Sequence, residues 1–91
     1  MSVKVRIPTQ LRSLTNESGE VEASGLTIAE LIADLNAKHP GIKERILDDT
    51  GSLRRFVNVY LDDEDVRFLN GLATEVPEGA QISIIPAVAG G

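Results

Sequence analysis

The feature that most restricts the fold is one amphipathic helix set between short alternating strands. Ile28, Leu31, Ile32 and Leu35 fall at i, i+3, i+4 and i+7 and form one apolar stripe, with Glu30, Asp34 and Lys38 on the opposite side. Thr27 and Glu30 have the spacing of a capping box, in which each side chain serves a free N–H at the helix start. His39-Pro40-Gly41 ends the helix. There a histidine suits the negative end of the helix dipole better than it suits the role of acid or ligand. A helix with one apolar face must bury it, and the flanking segments offer only strands to bury it against. The expected fold is therefore α+β, a roll in which a mixed sheet carries one main helix on one face.

The strands follow from period-two alternation. Val3, Val5 and Ile7 alternate with Lys4 and Arg6, and Pro8 closes the run. Residues 10–15 read as irregular, with Leu11 and Leu14 available to plug the edge of the core. Asn16-Glu17-Ser18-Gly19 is a turn by composition. Val21 and Ala23 then alternate with polar residues, so this strand should pair back on the first as a hairpin. Beyond the helix, Ile42, Ile46 and Leu47 predict a short helical turn before the polar loop 48–52. Phe56 to Leu61 reads as a strand with Val57, Val59 and Leu61 toward the core. Phe56 and Tyr60 on its other side either anchor a partner on an open sheet face or pack under a loop. Asp62-Asp63-Glu64-Asp65 lacks the spaced ligands and glycine of a calcium loop and reads as a solvated turn. Val66-Arg67-Phe68 reads as a short edge strand, and Pro77-Glu78-Gly79 as a turn. The β-branched run at 82–85 reads as a buried strand that Pro86 stops, since proline has no N–H for a ladder. The first and last strands are the expected central pair.

Bulk properties exclude several function classes. Ninety-one residues make one domain, and a composition 42% hydrophobic and 25% charged is that of a folded chain. The formal net charge is −5 and no basic run exceeds Arg54-Arg55, which argues against nucleic acid as a partner. No apolar stretch has the length to cross a bilayer and Met1-Ser2-Val3-Lys4 opens no signal peptide, so a cytoplasmic location without membrane contact is expected. Without cysteine there is no disulfide, no iron–sulfur ligation and no thiol nucleophile, and one histidine cannot complete a histidine-based zinc site. No metal site and no enzyme in its own right are expected.

What remains is the tail. After Pro86 come Ala87, Val88, Ala89, Gly90 and Gly91, small and uncharged, and the sequence stops on two glycines. The reading divides the chain into a domain over 1–86 and a tail over 87–91. Five residues reach at most about 17 Å, enough to enter a cleft on another protein. The one reactive group at the tip is the α-carboxylate of Gly91. Glycine at the last two positions lets backbone enter a narrow passage without a Cβ clash. The alternative is a frayed end.

The strand order ending in Gly-Gly resembles the β-grasp, ubiquitin-like sulfur carriers of the MoaD/ThiS family. The resemblance spans the chain and is most specific in Phe56-Val57-Asn58-Val59-Tyr60, Glu64-Asp65-Val66-Arg67-Phe68, Gly71-Leu72-Ala73-Thr74 and Pro86-Ala87-Val88-Ala89-Gly90-Gly91. Those segments look most like the CysO branch, which carries sulfur for cysteine biosynthesis. The resemblance implies no permanently bound cofactor. It implies a ubiquitin-activating-like adenylyltransferase/sulfurtransferase that uses ATP to adenylate Gly91, after which sulfur replaces AMP and leaves a thiocarboxylate. In that branch a pyridoxal-phosphate-dependent cysteine synthase receives the sulfur, and a metalloprotease releases the cysteine. Gly90, Ala89, Val88 and Ala87 would be the tail residues that partners recognise. Three other readings stay open from sequence: the small subunit of molybdopterin synthase, seated in that enzyme's large subunit; a ubiquitin-like protein modifier; and an interaction module with an inert tail.

Overall fold

A computed structural model describes residues 2–86. Strands β1 (Ser2–Arg6) and β2 (Glu20–Ser24) form the expected hairpin, with Val5 opposite Val21. Helix α1 (Ile28–Lys38) and the short α2 (Ile42–Ile46) follow. Strands β3 (Val57–Leu61), β4 (Glu64–Asp65) and β5 (Gln81–Pro86) complete a five-stranded sheet in the order β2-β1-β5-β3-β4. Strands β1 and β5 run parallel at its centre, and the other pairings are antiparallel.

The core lies between one face of this sheet and α1. Ile28, Leu31, Ile32 and Leu35 are all buried, as the stripe requires, against Val3, Val5, Ala23, Val57, Val59, Ile82 and Ile84. Ile42, Ile46 and Leu47 close one end of the core, while Leu61 packs against it only in part. Thr27 caps α1 by accepting from the Glu30 N–H at 3.3 Å. The Glu30 carboxylate reaches one residue further back than the box predicts, accepting from the Leu26 N–H at 3.2 Å. His39 is the C-cap, its N–H bonded to the Leu35 carbonyl.

Three expectations are corrected. Residues 10–15 are not irregular: they belong to a 3₁₀ helix, Thr9–Thr15, that seats Leu11 in the core and closes on Asn16 in the left-handed region. The segment Val66–Phe68 is also a 3₁₀ helix rather than an edge strand. Valine and phenylalanine favour strands, but the Asp65 carboxylate accepts from the Arg67 N–H at 2.8 Å and starts a turn. The edge strand is instead Glu64–Asp65, inside the acidic run read as a turn. Last, the run at 82–85 is buried on one face only. Ile82 and Ile84 are in the core, but Ile85 is 47% exposed because helices cover a single side of the sheet.

Candidate functional site at the exit of β5

The strand that leads to the tail is paired on both sides as far as Ser83 and on the β3 side to its end. Val57 pairs with Pro86 and Asn58 with Ile85, while on the other side Arg6 of β1 pairs with Ser83. The five tail residues given functional roles above, Ala87, Val88, Ala89, Gly90 and Gly91, lie outside the described residues. The sheet nonetheless fixes where the chain emerges: at Pro86, beside the starts of β3 and of the 3₁₀ helix Thr9–Thr15.

Two clefts flank that exit and share Ile84 and Pro86. One is walled by Leu11, Glu44, Arg45, Arg54 and Val57. The other is walled by Arg6, Pro8, Arg12, Glu20 and Ile85, among others. Four arginines from four separate segments thus converge on the end of β5, against two glutamates. Two of them are anchored by backbone carbonyls. Arg12 Nε donates to the Ile7 carbonyl at 3.1 Å, and Arg54 Nε to the Glu44 carbonyl at 2.8 Å. Arg67 braces the same corner from the 3₁₀ helix Val66–Phe68, donating to Asn58 Oδ1 and to the Arg54 carbonyl. Among the described residues the only ion pair is Lys38–Asp34 at 3.1 Å, on α1. Arg12 and Arg54 are therefore held by neutral acceptors, and among the described residues none of the four arginines has a carboxylate within ion-pair distance. The sequence shows no basic cluster here because these residues are scattered through the chain, and only the fold assembles them.

The opposite end of β5 is acidic. The turn Asp62-Asp63 joins β3 to β4 there, with Asp62 at φ 56° and its carboxylate accepting from the Gln81 N–H at 3.1 Å. Glu64 and Glu78 lie at the same end, Glu78 in the turn that leads into β5. Among the described residues no group of three acidic or histidine side chains is placed to hold a metal.

Of the two aromatic residues considered as partner anchors, Tyr60 is half-buried in β3, in register between Ser83 and Asp65 on the face away from α1. Phe56 is 50% exposed but precedes the strand, in the turn Arg55-Phe56. Phe68, at 88% exposure, is the more open ring. Two carboxyls are held below the ordinary carboxylate range. For Asp34 the main cause is the Ser24 backbone N–H at 2.8 Å, followed by Lys38. For Asp48 it is the Thr50 hydroxyl at 2.6 Å, then the Thr50 and Ser52 backbone N–H groups. Both are structural ties within loops and helix ends, and Asp48 shares a neighbouring cleft with Glu44 and Arg54 of the β5 exit.

Residues 5–91 match the ThiS family. The chain belongs to the ThiS family. It is similar to proteins named as sulfur carriers. It is 52% identical over 93 residues to the sulfur carrier protein CysO of Mycobacterium tuberculosis (strain ATCC 25618 / H37Rv), covering all of both chains. It is 38% identical over 91 residues to a putative sulfur carrier protein of Archaeoglobus fulgidus, again covering all of both. Its structure superposes on the Amycolatopsis orientalis BexX/CysO complex with a TM-score of 0.92 at 50% identity, covering 98% of this chain and 99% of that one. The family read from the motifs and the β-grasp fold expected of it are thereby established. The ThiS match extends through Gly90-Gly91, so it includes the tail as well as the domain. Among the described residues no helix is long and apolar enough to cross a membrane.

Proposed function

We propose that this chain is a sulfur carrier for cysteine biosynthesis, loaded at the carboxylate of Gly91. The observation that supports it most is the 52% identity to CysO over the full length of both chains, within a family match that reaches Gly91. The chain acts as a carrier and co-substrate, and the enzymes that load and unload it supply the catalytic groups.

The chemistry needs little from the domain. An α-carboxylate with a pKa of about 3.5 is ionised and unreactive near neutral pH. An activating enzyme of the ubiquitin-activating type transfers AMP from ATP to that carboxylate, releasing pyrophosphate. A sulfur donor then displaces AMP and leaves a thiocarboxylate on Gly91. That soft nucleophile adds to an aminoacrylate held on pyridoxal phosphate by a cysteine synthase, and a metalloprotease frees the new cysteine. Sulfur is thus handled without a cysteine in the carrier, which has none. Gly90, Ala89, Val88 and Ala87 enter the partner's cleft, where backbone hydrogen bonds offset an ordering cost of about 1–2 kcal/mol per residue. Tyr60 on the open face and Phe56 in the turn before β3 add partner contacts at the domain.

The test is the intact mass of the chain isolated from its own cells. The expected result is a population with one oxygen replaced by sulfur at the C-terminus, which collapses to the unmodified mass in a Gly91 deletion. A chain found only unmodified, in cells actively making cysteine, would overturn the proposal.

A further inference from the structure

We propose that the arginines around the exit of β5 form a collar for an acidic protein surface, the rim of the cleft that receives the tail. The inference deepens the carrier reading and rests on the tail entering a partner. It stands, however, on separate observations. Arg6, Arg12, Arg45 and Arg54 come from β1, the first 3₁₀ helix, α2 and the segment before β3, and they line the two clefts that meet at Pro86. Arg12 and Arg54 are anchored by carbonyl acceptors, and among the described residues none of the four has a carboxylate within ion-pair distance. Arginine held in place presents its donor fork at little further entropic cost, and that fork matches carboxylates in a bidentate geometry.

The occupant follows from reach and from charge. A tail extended into a cleft would set Gly91 up to about 17 Å from Pro86, and a nucleotide there would lie beyond the collar. The arginines face the mouth of the cleft instead of its reacting end. The molecule as a whole carries −5, and Asp62, Asp63, Glu64 and Glu78 cluster at the opposite end of β5. Along the strand that carries the tail, carboxylates thus predominate at one end, where Lys4 stands opposite Gln81, and arginines at the other, where Glu20 and Glu44 also line the clefts. A partner with an acidic rim would attract the arginine end and repel the acidic end, so that the domain arrives tail first. Complementarity of this kind acts mainly on association and orientation, and it is screened by salt.

The test measures two readouts with the adenylating enzyme of the same cells: equilibrium binding without ATP at about 0.05 M and about 0.5 M salt, and ATP-dependent adenylation. The variants are the double substitution Arg6→Gln/Arg45→Gln, whose side chains make no hydrogen bond within the described domain, and Lys4→Gln/Lys38→Gln as an equal step of two charges at residues lining neither cleft. Wild type is expected to bind on the order of tenfold more weakly at the higher salt. The arginine double variant should bind several-fold more weakly at low salt and lose most of that salt dependence, with maximal adenylation rate retained at saturation. Lys4→Gln/Lys38→Gln should behave as wild type. Adenylation that proceeds normally while binding ignores both salt and the arginine double substitution would overturn the collar and leave the carrier reading standing. Salt-dependent binding that the arginine double variant weakens, with no adenylation at all, would support the collar and refute the loading reaction.

Discussion

Gly25 lies against the backbone of Leu31 so closely that a side chain has no room there. A Cβ at Gly25 would stand 2.8 Å from the Glu30 carbonyl carbon and 2.8 Å from Leu31 Cα, and closer still to the Leu31 nitrogen. This contact sets the link between β2 and α1. Just before it the Ser24 N–H is bonded to Asp34, and just after it the Ile28 N–H is bonded to the Thr74 carbonyl. The first turn of α1 is thus seated on the end of β2 by backbone, which has no rotamer to move aside. Gly25→Ala should therefore destabilise the domain by about 1–3 kcal/mol, as overpacking does in a well-packed site. For a domain of this size that corresponds to a fall in melting temperature of roughly 4–8 °C per kcal/mol. Gly51→Ala tests a different cause, since a Cβ there meets nothing within 4 Å and any cost comes from φ +84° alone. A melting curve for Gly25→Ala indistinguishable from wild type would show that the β2–α1 link yields.

Acid should expose the ties made by Asp48. Its carboxyl is held below its ordinary value of 3.8, first by the Thr50 hydroxyl and then by backbone N–H groups, so the folded state prefers the ionised form. Above about pH 5 the group is ionised whether the chain is folded or not, and its stabilising contribution is fully present. As pH falls from 3.8 through the lower folded value, the unfolded chain takes up the proton first and that contribution is lost. Asp34 behaves in the same sense, through Ser24 and Lys38. Asp48→Asn should therefore melt below wild type near pH 7, and the gap should close near pH 2. A gap that stays constant over that range would mean that the side chain acts by hydrogen-bond geometry and not by charge.

How far the sequence carries the fold depends on whether each element is decided locally. Helix α1 was legible because stripe, cap and stop all point to the same eleven residues. The β1–β2 hairpin was legible because alternation and turn chemistry agree. Val66–Phe68 misled because its intrinsic preference is extended, while the Asp65 cap that overrides it is a tertiary fact of where β4 ends. Ile85 misled because a short apolar run does not show which of its faces a sheet leaves open. Gly25 gave no signal, since close approach of two backbones has no local pattern. The site divides in the same way. Gly90-Gly91 stands out in the chain as a motif, whereas Arg6, Arg12, Arg45 and Arg54 become a feature only when β1, α2 and β3 meet at the end of β5.

Gly90→Ala separates a tail that threads a passage from one that serves as a tether. The core built by the described residues extends no further along the chain than Ile84, and the last described ladder pair is Val57 with Pro86. One added methyl at position 90 should therefore change stability by less than about 0.5 kcal/mol, as surface substitutions do. In a cleft shaped around glycine backbone, the same methyl either overpacks its surroundings or forbids a positive φ. The first of these costs about 1–3 kcal/mol, or roughly 5- to 150-fold in a rate or affinity. A tether would tolerate the methyl, because a flexible chain has room for it. The two cases part in a single comparison: the rate of ATP-dependent adenylation of wild type and Gly90→Ala by the activating enzyme, with melting curves of both. An unchanged melt with adenylation slowed at least several-fold is the expected outcome. Equal adenylation rates would show that the glycines are not read by the cleft, and would move the recognition of this carrier from its tail to the domain.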